Sequence, residues 1–219
     1  MDDRRAKSRH GAVALRLRAL LAGALVLGVG SSVTLASWTD SDFATGSFGA
    51  SSFQTESNVT KPYDALGAWS TNEQSAGALV FEATAMSPGK VVYAPIAIRT
   101  KATSVAGEVV LGIPSISGNS AAGDADLSAA LRYRVIRSAT CGASSFTGTP
   151  AFVVGSDGAK PLTVGQASDV VNPLQAATAT LPGAPTQFCF EVTLPVGASN
   201  ALQGQKTTAT WQFTATSSS

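Results

Sequence analysis

The chain has 219 residues, 15 Lys+Arg against 14 Asp+Glu, a formal net charge of +1 and 44% hydrophobic residues. Low charge combined with that apolar content excludes a disordered chain. Beyond residue 36, nine cations face twelve acids, and a balance of −3 excludes the basic footprint of a nucleic-acid-binding domain.

The charge is unevenly placed. Arg4, Arg5, Lys7, Arg9, Arg16 and Arg18 open the chain against only Asp2 and Asp3, and no further charge appears before Asp40. After this basic leader, Ala19–Gly30 is an uncharged apolar core, and small polar residues follow up to Ala36. That order defines a secretory signal, expected as a helix, with Thr34 and Ala36 at the small-residue positions and cleavage between Ala36 and Ser37. The uncharged run Ala19–Trp38 is 20 residues long, within reach of a membrane anchor. Gly30, Ser31, Ser32 and Thr34 make its last third too polar for that, so membrane contact is expected only through the uncleaved signal.

Residues 37–219 then read as one domain of a size that supports a well-buried core. Its first stretch, 37–55, carries Trp38, Phe43, Phe48 and Phe53 among small residues, with Asp40 and Asp42 as its only charges. The three phenylalanines do not share one parity, so a bulge or break is expected near Gly49. This arm either pairs as the first strand of its own domain or adds as a strand to a neighbouring subunit's sheet.

Alternation with period two dominates the remainder of the chain. In Ala78–Ala85, Leu79, Phe81, Ala83 and Ala85 share one parity. Lys90–Thr100 is apolar on both faces, as a central strand would be, although Pro95 favours an edge or bulge. Leu131, Tyr133 and Val135 alternate with Arg132 and Arg134. Phe188, Phe190, Val192 and Leu194 alternate with Gln187, Cys189, Glu191 and Thr193, predicting a solvated second face. Near Lys206–Thr216, Ala209, Trp211, Phe213 and Ala215 point inward and threonines outward. Ser87-Pro88-Gly89 marks a turn before Lys90, and Ser156-Asp157-Gly158 predicts a hairpin joining Ala151–Val154 to Pro161–Val164. Short helices are expected at Asp126–Leu131 and Pro173–Thr178. Ser115–Gly123 and Gly165–Thr186 are expected as surface insertions. The whole is an all-β chain, predicted as a two-sheet antiparallel sandwich of jelly-roll type.

Two cysteines, Cys141 and Cys189, lie in the exported part. In an oxidising compartment an even pair is a disulfide, contributing about 4 kcal/mol for a loop of this size. Cys189 has the parity opposite to Phe188 and Phe190, so the bridge should clamp an outer sheet face or a loop. A metal pair lacks partners, because the only histidine is His10 in the leader. The same shortage leaves Ser-His-Asp and Cys-His catalysis without a base. The acids show no catalytic spacing, and HExxH is absent. Asp124-Ala125-Asp126 offers calcium-type oxygen ligands, but a turn whose Asp126 caps a short helix is the preferred reading. Tyr93, Tyr133, Trp69 and Trp211 could line a carbohydrate groove, although aromatics at strand parity more often fill a core. No enzyme and no cofactor are expected.

The junction carries the sharpest motif: Ser37-Trp38-Thr39-Asp40-Ser41-Asp42, followed by Phe43-Ala44-Thr45-Gly46-Ser47-Phe48-Gly49-Ala50-Ser51-Ser52-Phe53. An apolar leader ending in aromatic-Ser/Thr-Asp, then a strand rich in Thr, Gly and aromatics, resembles the TasA/camelysin family, in particular its alternate-signal exported proteins of actinobacteria. Ser87-Pro88-Gly89 resembles that family's entry to its next sheet strand, and Gly204-Gln205-Lys206 through Ala209-Thr210-Trp211-Gln212-Phe213 resembles its closing strand. The resemblance implies a jelly-roll sandwich, processing by a SipW-type signal peptidase, export to the cell surface and a structural role in biofilm-matrix fibres. Camelysin-type relatives are also classified as metallopeptidases, an activity that a mature chain without histidine does not support. The cysteine pair and the 115–123 insertion depart from the simplest family pattern.

Overall fold

The structure, a computed structural model, describes residues 50–72, 79, 85–118 and 123–218, together with Arg16 and Arg18. All but the two arginines belong to one unit of the chain, Gly49–Ser219. The expected signal apart from Arg16 and Arg18, the expected cleavage site Ala36–Ser37 and the arm residues Trp38, Asp40, Phe43 and Phe48 lie outside the described residues, as does most of the strand expected at Ala78–Ala85. Leu79 from that stretch packs against the core.

The described residues are all-β in character, in antiparallel sheets. The larger sheet has six strands, β1 (Thr55–Asn58), β2 (Val91–Thr100), β5 (Arg132–Arg137), β6 (Ala151–Val154), β7 (Lys160–Pro161) and β9 (Thr186–Thr193). They run in the order β1-β2-β9-β5-β6, with β7 also on β5. A second sheet orders β11 (Phe213–Ser217), β3 (Gly107–Leu111) and β8 (Pro173–Leu174), and a two-stranded ladder joins β10 (Thr208–Thr210) to β4 (Ser115–Ser117). The last two form one interrupted ribbon, bridged by Gly112 N–H donating to Gln212 O at 2.9 Å. From Thr210↔Ser115 to Phe213↔Leu111 one strand advances three residues and the other four, which is the extra residue of a bulge.

Alternation places the core as the sequence predicts. Tyr133 and Val135 on β5, Phe188, Phe190 and Val192 on β9, and Val92, Ile96 and Ile98 on β2 are all buried on one face. They meet Val109, Leu111 and Leu174 of the second sheet, with Trp211 and Phe213 packed against them. Rings carry the contact: Phe190 lies 5.1 Å from Trp211, Phe188 5.1 Å from Phe213, and Tyr133 5.7 Å from Trp211, centroid to centroid. Each aromatic buried here removes roughly 150–250 Å² from water, and tilted or edge-on pairing adds about 0.5–1.5 kcal/mol per pair. Tyr133 keeps its hydroxyl satisfied by donating to Val164 O. Burial pushes its pKa up from 10.0 to about 12, with the neighbouring Trp211 pulling slightly the other way.

Pro95 sits inside the sheet without breaking it. Tyr93 O accepts from Lys61 Nζ on the β1 side, so Pro95, two residues on, also turns its backbone to that side. The β1 ladder there pairs only Ala97–Thr100, so no donor is needed at Pro95. The turn before β2 forms as expected, with Lys90 N–H donating to Ser87 O and Gly89 at φ 83°. Gln54 O accepts from Lys101 N–H, Ser52 O accepts from Val105 N–H, and Ser57 and Ser70 exchange two hydrogen bonds on the outer side of β1. On the far edge, Ala167 N–H donates to Val153 O of β6.

Five expectations need correction. Ser156-Asp157-Gly158 does turn the chain, but β6 and β7 do not pair with each other. Both lie along the same edge of β5, at Val135–Arg137 and at Arg132–Tyr133. Turn residues fix where the chain bends and not which neighbour its flanks join. Pro173–Thr178 is no helix: Pro173–Leu174 is strand β8, because Leu174 is drawn into the core and Asn172 O accepts from Val109 N–H. Consequently Gly165–Thr186 is not merely a surface insertion, and neither is all of Ser115–Gly123, whose first residues form β4. Lastly, the second face of β9 is not solvated: Cys189 and Glu191 are buried there.

Candidate functional surface

What buries that second face is the loop Ser138–Pro150, which joins β5 to β6 and folds back across the larger sheet. Cys141 in the loop is bonded to Cys189 at the middle of β9. The bridge clamps the outer face, as its parity predicts. Register aligns a row beneath the loop: Tyr93 of β2 is opposite Glu191 of β9, which is opposite Arg134 of β5. Arg134 Nε and Nη2 donate to Glu191 Oε1 and Oε2 at 2.8 Å each, a bidentate pair. The Arg134 guanidinium also lies 4.9 Å from the Phe146 ring and 5.9 Å from that of Phe152. Phe146 in turn stands 5.8 Å from Tyr93. Hydrogen bonding to Glu191 raises the Arg134 pKa, and burial, followed by the Glu191 carboxylate, raises that of Tyr93.

A second group lies at the β1 side of this face. Glu56 and Arg99 are cross-strand partners joined at 2.7 Å, and the Arg99 guanidinium covers the Trp69 ring at 3.8 Å. The connection after β1 is braced to present Trp69. Asn58, itself buried, donates to Asp64 O and accepts from Thr60 N–H, while Trp69 Nε1–H donates to Ala65 O. Burial raises the pKa of the adjacent Tyr63.

Of the four aromatics proposed for a groove, Tyr133 and Trp211 therefore belong to the core, and Tyr93 and Trp69 to this outer face. No family model matches the chain, and no curated protein matches it. Phe53, from the arm, is half-buried against the core with its ring beside Gly107. Asp126 caps helix α1 (Leu127–Ala130), accepting from Ala129 N–H at 3.1 Å and from Ser128 Oγ at 2.7 Å. Among the described residues, no group of three or more His, Cys, Asp and Glu side chains could hold a metal ion. No helix among them is long and apolar enough to cross a membrane.

Sequence reasoning missed the Tyr93–Glu191–Arg134 row. Its signal is present only as parity: Glu191 and Arg134 both fall opposite the apolar residues of their strands. Joining them requires knowing that β5 and β9 are neighbours in this register.

Proposed function

We propose that this protein is an exported, non-catalytic structural subunit of a cell surface or biofilm matrix, cut by a SipW-type signal peptidase and self-associating through the residues that precede β1. Its sheets are read as a jelly-roll sandwich, in keeping with the resemblance of its junction motif to the TasA/camelysin family. A disulfide between the only two cysteines suits an oxidising, extracellular setting.

The observation that carries the reading is the fate of the arm's last residues. Ser52–Asn58 is stitched into the domain's own sheet by the Ser52, Gln54 and β1 bonds. Strand addition to a neighbour thus falls to the part before Ser52, the aromatic stretch with Trp38, Phe43 and Phe48. A main-chain ladder would supply the affinity and the phenylalanines the fit. Electron microscopy of the purified mature chain, with its N-terminal sequence, tests this. Filaments that disappear on deleting Ser37–Phe48, leaving a folded monomer, are expected. Filaments that persist would overturn the arm's role, and an intact chain that never polymerises would overturn the structural role. That last outcome would favour a second reading, a surface carbohydrate-binding module, for which Trp69 flanked by Arg99 and Glu56 offers an aromatic platform beside polar groups.

A further inference from the structure

We propose that Ser138–Pro150 is a redox-released flap: a dithiol reductant opens the Cys141–Cys189 bond, and the loop lifts off the larger sheet while both its ends stay paired.

The hydrogen bonds of the loop mark it as a separable unit. Ser138 N–H donates to Gln187 O, the last bond to the sheet before the loop departs. Among the described residues, every hydrogen bond from Thr140 to Thr147 then closes inside the loop. Thr140 N–H donates to Ser138 Oγ, Ser145 Oγ to Thr140 O, Ser145 N–H to Gly142 O, and Thr147 N–H and Oγ1 to Ser144 O. Across the sheet face the loop is held by the disulfide and by the Phe146 ring on Tyr93 and Arg134. Its roots are secure without the bridge, because Arg137↔Ala151 and Ile136↔Phe152 close the β5–β6 ladder immediately beyond it. Opening the bond therefore frees a long hairpin loop and leaves the ladder at its base intact.

The chemistry has a direction. Cys189 has no exposed surface, whereas Cys141 is partly exposed, so exchange starts at Cys141. A thiolate of the dithiol attacks the Cys141 sulfur, the S–S bond breaks, and Cys189 leaves as a thiolate that takes up a proton. The second thiol of the reductant then attacks its own sulfur in the mixed disulfide and releases Cys141 as a thiol. Two electrons have passed to the protein, and the reductant ends as a disulfide. Beneath the flap, Pro95 of β2 and Ile136 of β5 are the register partners of Cys189 on either side, with Tyr93, Glu191 and Arg134 in the neighbouring row. Ile136 is fully buried while the flap is closed.

The test compares the purified chain before and after dithiothreitol with a Cys141→Ser/Cys189→Ser double variant, using brief chymotrypsin treatment read by intact mass. Reduction is expected to speed cleavage after Phe146 at least tenfold and to raise binding of a hydrophobic dye. The far-ultraviolet dichroism and tryptophan fluorescence should not change, and reoxidation should restore protection. Unchanged cleavage on reduction would overturn the proposal by showing that the ring contacts alone hold the flap. Loss of tryptophan fluorescence together with cleavage throughout the sheets would also overturn it, because the bond would then hold the whole fold. If the double variant fails to accumulate, the reduced wild-type chain alone decides between these outcomes.

Discussion

Replacing Tyr133 with phenylalanine should flatten the alkaline loss of stability. The folded-state pKa of Tyr133 is raised by burial to about 12 from 10.0, so the native state holds this proton more tightly than the unfolded chain does. The stabilisation is complete below pH 10 and is lost as pH rises from 10 towards 12, where the unfolded state ionises first. At about 1.36 kcal/mol per pH unit, that interval is worth about 2.7 kcal/mol. The substitution carries its own cost of about 1 kcal/mol at neutral pH, because Val164 O loses its donor inside the protein. Urea unfolding followed by tryptophan fluorescence at fixed pH between 8 and 11.5 should show wild type more stable at the start. The two stability curves should cross near pH 11 (about 1 pH unit above the unfolded value). Tyr63 and Tyr93 also have raised pKa values, but both proteins retain them, so their effect cancels in the difference. Parallel curves across the whole range would refute the reasoning.

Glu191→Gln should destabilise the protein by about 2 kcal/mol, below the usual figure for a fully buried pair because Arg134 keeps 26% of its side chain exposed. The double change Glu191→Leu/Arg134→Met should cost less than the single one in chemical denaturation, since no charge is left stranded. A double variant worse than the single one would contradict this. Gly107→Ala places a Cβ 2.3 Å from Thr216 O and 2.7 Å from the Phe53 ring. We expect a loss of about 2–3 kcal/mol in urea midpoint measurements, because β3 must move off β11 or Phe53 must leave its site. An unchanged midpoint would show that Phe53 does not pack there.

Much of the fold was legible because one face of each long strand is core. Tyr133, Val135, Phe188 and Phe190 announce their burial by parity alone, and two cysteines leave one possible pairing. Legibility ended where an answer depended on a neighbour distant in sequence. Glu191 and Arg134 look like solvated residues until β5 is laid beside β9. Pro173 suits the first turn of a helix as well as the start of a short strand, and only Leu174 entering the core against β3 decides it. The burial of Cys189 had no local signal either, because nothing in the Gly-, Ser- and Thr-rich loop Ser138–Pro150 foretells that it folds back.

The bonds along the two flanks of the larger sheet have a consequence for crowding. At one margin Ser70 occupies the free side of β1 at Ser57, and at the other Ala167 reaches Val153 of β6. A sheet margin with free amides is a template for any passing chain, including an identical one, and high concentration makes such encounters frequent. Here the protein's own loops occupy both margins at these points. An incoming strand would have to displace Ser70 or Ala167 before it could pair at Ser57 or Val153 of the larger sheet.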